Sequence, residues 1–159
     1  MVPFTRGRER SRNPESIIAE AKNLFENGYR EVTLLGQNVD SYLWNGGGQK
    51  KDLPADVVHG ALNHLLHDKE QKSFTTFADL LELTAQVHPG LRVRFSTSNP
   101  RDMTDAVIHS MTKYDNICKY IHLPVQSGST NVLERMNRGY SREDYKKIIE
   151  SVRKIIPGC

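Results

Sequence analysis

An α/β fold with about three short parallel strands and covering helices is the architecture this sequence predicts, and three observations predict it. Helical and strand patterns alternate in the order helix, strand, helix, strand, helix, strand, helix, helix, which argues for βαβ units and a parallel sheet. The strands are short and moderately apolar, as strands covered by helices are. The chain has 159 residues, 37% of them hydrophobic, enough for one domain with a core and too few for two ordinary ones.

Each element has a local reason. Asn13-Pro14-Glu15 opens a helix, with Asn as N-cap, Pro at the first helical position and Glu at the positive end of the dipole. Ile17, Ile18, Ala21, Leu24 and Phe25 share one face, and Gly28 supplies the left-handed stop. Glu31–Leu35 reads as a strand ending at Gly36-Gln37-Asn38. Residues 45–72 break the pattern and read as an insertion or mobile loop, with weak helical periodicity over 55–66. Thr76 and Asp79 form a partial capping box for a helix carrying Phe77, Leu80, Leu81, Leu83 and Val87. Leu91–Phe95 alternates as a strand, and a helix follows over residues 104–111. Tyr120–Leu123 reads as the third strand, limited by Pro124. Ser127-Gly128-Ser129-Thr130 leads into a helix through Leu133 and Met136, and Ser141 caps the last one, which Pro157-Gly158 ends. The order begins with an arm and a helix and stops after a helix, so the sheet is expected to have two raw edges, closed by further strands or by self-association.

Composition excludes several classes. No apolar run approaches the ~20 residues of a membrane span, and no basic-then-apolar leader opens the chain, so a cytoplasmic protein is expected. Cys118 and Cys159 are the two cysteines, too few for a disulfide scaffold or for a thiolate-bound metal or cluster. His64 and His67 are three apart, a weak metal signal, and no metal site is expected. No nucleophile triad, Walker loop or dinucleotide fingerprint appears. The net charge is +3. Arg6, Arg8, Arg10 and Arg12, with Glu9 as the lone acid of residues 1–12, account for all of it. This basic arm is a candidate phosphate or RNA contact, and a solvated tail is the plain alternative.

Ligands of parallel α/β sheets bind beyond the carboxyl ends of the strands. Three segments leave those ends: residues 36–42, 96–100 and 122–129. All are rich in uncharged hydrogen-bonding groups, suited to orienting a polar small molecule.

Val2–Arg12, Leu34–Tyr42, His122–Ser129, Met136–Tyr145 and Arg94–Pro100 together closely resemble the radical S-adenosylmethionine methylthiotransferases, over nearly the whole chain except residues 45–72. Gly36-Gln37-Asn38 resembles the branch acting on N6-isopentenyladenosine in tRNA. The branches acting on threonylcarbamoyladenosine and on a ribosomal protein carry other residues there and stand as alternatives, as does a non-catalytic RNA-binding module. The resemblance implies a partial (β/α) barrel, S-adenosylmethionine and two 4Fe–4S clusters. One cluster would cleave S-adenosylmethionine to a 5′-deoxyadenosyl radical, and the other would deliver sulfur to the adenine beside the tRNA anticodon. It also implies roles. Gly36, Gln37 and Asn38 would bind the methionyl amino group, and Ser96 and Thr97 would approach the cofactor's polar groups. His122, Gln126 and Ser127 would serve ribose or methionine, and Arg138 the carboxylate. The arm arginines Arg6, Arg8, Arg10 and Arg12 would face cofactor or tRNA phosphate.

The departure matters equally. The family's C-x-x-x-C-x-x-C motif precedes the position of Val2-Pro3 and is not in this sequence. Nor are the other cluster's domain and the RNA-binding barrel. The expectation is a part of a longer enzyme, residues 1–159 being a truncated core that is inactive alone.

Overall fold

The computed structural model describes residues 10–47 and 74–159. Arg6, Arg8, His64, His67 and most of the 45–72 segment lie outside the described residues. The elements run α1 (Pro14–Glu26), β1 (Glu31–Leu34), a 3₁₀ turn (Val39–Ser41), β2 (Leu43–Trp44), β3 (Thr75–Thr76), α2 (Phe77–Ala85), β4 (Arg92–Phe95), α3 (Asp105–Lys113), α4 (Thr130–Arg135) and α5 (Arg142–Ile155).

The helix starts form as the side chains dictate. Asn13 Oδ1 accepts the Glu15 amide at 2.8 Å, and Gly28 takes a φ of 93° just past α1. Thr76 and Asp79 close a reciprocal capping box at α2, and Ser141 and Asp144 close another at α5. Beyond α2, Asn116 Nδ2 donates to the carbonyls of Ala85, His88 and Leu91 at 2.9, 3.2 and 3.0 Å. One side chain thus satisfies a helix end and the turn into β4.

β1 and β4 pair in parallel, with Glu31, Val32, Thr33 and Leu34 opposite Arg92, Val93, Arg94 and Phe95. The expected third strand does not form at Tyr120–Leu123. Its place beside β4 is taken earlier, by a single parallel bridge between Val93 and Ile117. The Val93 amide binds the Asn116 carbonyl at 2.8 Å, and the Cys118 amide binds the Val93 carbonyl at 2.9 Å. Ile117 is buried whereas Tyr120 is exposed, so burial selects the earlier residue. Among the described residues the parallel sheet therefore has two strands and one bridge. A second, antiparallel pair joins Leu43 to Thr76 and Trp44 to Thr75.

The core lies between the sheet and helices α2, α3 and α5. Phe77, Leu81 and Ala85 of α2 meet Val93 and Phe95 of β4, Val107, Ile108 and Met111 of α3, and Val152 of α5. Phe77 and Phe95 cross edge to face, 5.3 Å between centroids at 72°, a favoured aromatic geometry. α1 is covered less well. Ala21 alone is buried, and Phe25 stacks on exposed His88 at 4.0 Å. Leu35, just past β1, is 73% exposed. Among the described residues no helix is long and apolar enough to cross a membrane.

Because Phe77 is 1% exposed, Phe77→Ala leaves a cavity and lowers stability by about 3–5 kcal/mol. Leu83→Ala, on the exposed face of the same helix, costs below about 1 kcal/mol. Urea unfolding of both variants checks the contrast.

Candidate functional site

The parallel register leaves residues 36–42 and 96–102 departing from one sheet edge, because Leu34 and Phe95 end their strands side by side. The two segments are tied together repeatedly. The Ser96 amide binds the Leu34 carbonyl at 3.3 Å, and the Val39 amide binds the Thr97 carbonyl at 3.4 Å. The Thr97 hydroxyl lies against the Gly36 and Ser96 carbonyls. Asn38 Nδ2 donates to Asp102 at 2.5 Å. The third segment joins through the Ser98 amide, which binds the His122 carbonyl at 3.2 Å. All three polar segments therefore converge on one rim.

Among the predicted residues, Gly36, Gln37, Thr97, His122 and Gln126 are exposed, and Asn38, Ser96, Ser127 and Arg138 are half-buried. Gln126 Oε1 accepts from Arg138 Nη2 at 3.0 Å. Ser127 Oγ accepts the Ser129 amide at 3.1 Å and so turns its own loop. Thr97 and Gln126 both have left-handed backbone, φ 69° and 61°, a conformation non-glycine residues adopt sparingly and often at functional sites. Of the arm, Arg10 is exposed. Arg12 turns onto α1, where it donates to Ser16 and pairs with Glu20 at 2.5 Å. Its carbonyl accepts the Tyr42 hydroxyl at 2.7 Å, and Ser11 Oγ accepts the Leu43 amide at 3.0 Å. The end of the arm is thereby fixed beside the first rim segment.

Sequence reasoning placed Asp40, Ser98 and Asn99 in the polar segments but gave them and Asp102 no individual role. Asp40 is 1% exposed. It accepts the Ser98 hydroxyl at 3.2 Å and the Asn99 amide at 3.1 Å. Burial pushes its carboxyl from 3.8 up to about 7; the bonds from Ser98 and Asn99 pull it down and the Asp102 charge adds to the rise. A small cleft lined by Asp40, Thr76, Phe77, Thr104 and Val107 lies beside it. The only available signal was the pairing of Asp40 with a Ser98-Asn99 turn across two loops, which no local pattern encodes.

Four buried side-chain atoms lack hydrogen-bond partners among the described residues, Asn45 Oδ1, Arg94 Nε, Asn38 Oδ1 and Arg138 Nε, and the last two belong to the rim residues. Buried polar atoms are ordinarily satisfied, so these two are unmet polar demands beside the rim. Iron–sulfur ligation is another matter. A 4Fe–4S cluster takes several thiolates. The chain has Cys118 and Cys159, and among the described residues no three His, Cys, Asp or Glu side chains group to hold a metal ion.

The profile of the radical SAM superfamily matches residues 1–159, and the chain belongs to that superfamily. Membership implies S-adenosylmethionine and a 4Fe–4S cluster as the chemistry of the group. Within it, the chain is 56% identical over 98% of its length to tRNA-2-methylthio-N(6)-dimethylallyladenosine synthase of Amoebophilus asiaticus. It is 54% identical over its whole length to the protein of that name from Christiangramia forsetii, and 44% to that from Bacteroides fragilis. It spans 29%, 31% and 30% of those relatives.

A carboxyl raised in the folded state favours the protonated form. Its contribution to stability is complete below 3.8 and is lost as pH rises through about 7. The expected loss between pH 4 and 8 is on the order of 4 kcal/mol. Asp40→Asn cannot ionise and removes that slope. Urea unfolding of both proteins across this range checks it, and parallel profiles would contradict it.

Proposed function

We propose that this chain is the S-adenosylmethionine-handling core of a radical methylthiotransferase, folded as part of a (β/α) barrel, that modifies N6-isopentenyladenosine in tRNA. The observation that carries the reading is the single polar rim, built from three segments of a chain 56% identical to a tRNA-2-methylthio-N(6)-dimethylallyladenosine synthase. When bound, S-adenosylmethionine supplies the radical that abstracts hydrogen and the methyl group that is transferred.

The chain's own residues hold and orient it. Gly36, Gln37 and Asn38 offer backbone and side-chain carbonyl oxygens to the methionyl amino group, Gly36 and Gln37 being exposed at the rim. Arg138 has its Nη2 on a neutral partner, Gln126, and its Nε without one. Its full positive charge is therefore available to the cofactor carboxylate. Ser96, Thr97, His122, Gln126 and Ser127 offer hydrogen bonds to the remaining ribose and methionine oxygens. Arg10 faces solvent beside the rim and meets tRNA phosphate. Arg12 is engaged by Glu20, so its phosphate contact requires that pair to open. The cluster thiolates come from outside these residues, and the 159-residue chain alone is inactive.

Deleting the gene that encodes the chain removes 2-methylthio-N6-isopentenyladenosine from tRNA and leaves N6-isopentenyladenosine to accumulate. Nucleoside mass spectrometry reads both, and an unchanged profile refutes the assignment. Anaerobic iron–sulfide reconstitution of the 159-residue chain yields no stable visible absorption band and no methylthiolation. A stable cluster would refute the second statement alone.

A further inference from the structure

Past Ser96, whose amide binds the Leu34 carbonyl at 3.3 Å, come three consecutive amides, and each has a different fate. The Ser98 amide binds the His122 carbonyl at 3.2 Å, and the Asn99 amide binds Asp40 at 3.1 Å. The Thr97 amide makes no hydrogen bond among the described residues. Thr97 is also β-branched at a φ of 69°. Its Cβ crowds the backbone there, so the conformation persists only where the surroundings impose it. They impose it from the neighbouring loop on both sides. Before it, the Thr97 hydroxyl lies against the Gly36 carbonyl, and the Val39 amide holds the Thr97 carbonyl. After it, Asp40 holds the Ser98 hydroxyl and the Asn99 amide together. Asp40 is 1% exposed, so it acts on the rim through this loop and not by touching a ligand. Its cleft neighbours Thr76, Phe77, Thr104 and Val107 are uncharged, and Asp102 is the charged group that acts on it.

We propose that Asp40 is a positioning residue that locks Thr97 in left-handed backbone, so that the Thr97 amide is presented at the rim to an acceptor oxygen of S-adenosylmethionine, its carboxylate or a ribose hydroxyl. This rests on the functional reading above. Without the latch, Thr97 relaxes toward extended backbone and its amide turns away. The site loses one preset hydrogen bond while the apolar core keeps its packing.

The test measures S-adenosylmethionine binding by equilibrium dialysis to the cluster-loaded full-length enzyme, with unfolding midpoints of the same proteins. Asp40→Ala weakens binding about fivefold, the equivalent of one hydrogen bond. Asp40→Asn keeps an acceptor oxygen for the Asn99 amide and stays within about twofold of the parent. Thr97→Gly in the Asp40→Ala background restores binding to within about twofold, because glycine adopts positive φ without a latch. A merely structural Asp40 would not be rescued in this way. Should Asp40→Ala fail to fold, Ser98→Ala with and without Thr97→Gly reads the same latch from its other side. Unchanged binding in Asp40→Ala, or no recovery with glycine, overturns the inference. A parent enzyme that binds no S-adenosylmethionine overturns the functional reading instead.

Discussion

The rim exists because β1 and β4 run the same way in one register. With Leu34 opposite Phe95, both strands deliver their following loops to a common edge. An antiparallel pair would have sent them to opposite ends. The ladder is only four residues long, so its own hydrogen bonds do not hold it. The apolar layer beneath it does, where Val93 and Phe95 lie on Phe77, Leu81 and the inner face of α3. Phe77 is also the first residue of α2, directly after the Thr76 cap, and it lines the cleft beside Asp40. Helix start, core and rim therefore share one short stretch of chain, and a change at Phe77 reaches all three.

Polar satisfaction is uneven across the molecule. At the amino edge of the sheet, Asn116 closes three carbonyls with one amide group. At the carboxyl edge, a carboxyl is buried, an Asn oxygen and an Arg nitrogen lack partners, and a threonine sits in left-handed backbone. Each of these features costs stability. Asn45 Oδ1 and Arg94 Nε lack hydrogen-bond partners as well, so the rim holds part of the unmet polar demand of the described residues and not all of it.

Much of this was legible in the sequence, and the rest was hidden for identifiable reasons. The helix caps at Thr76 and Ser141 are local signals, and both formed, each closing into the full reciprocal box with Asp79 or Asp144. β1 and β4 lie within a residue of their expected limits, because alternation over four or five residues is a strong pattern. Ile117 was missed because a single bridging residue among Asp115, Asn116 and Lys119 has no period. β2 and β3 were missed for the same reason, being two residues each. At the rim, the three polar segments were found, since glycine, asparagine and serine after a strand are visible. The roles within them were not. Nothing local separates a buried Asp40 from a solvated aspartate, and the engagement of Arg12 by Glu20 becomes visible only when α1 is in place.

The small antiparallel clip between Leu43–Trp44 and Thr75–Thr76 makes the fold modular at that point. It fastens the two ends of residues 45–74 side by side, outside the parallel ladder. Closing entropy grows only slowly with chain length, by about 0.6 kcal/mol per doubling. What lies between the fastened ends can therefore be lengthened, shortened or exchanged at small cost, without resetting the strand register that brings the polar loops to one edge.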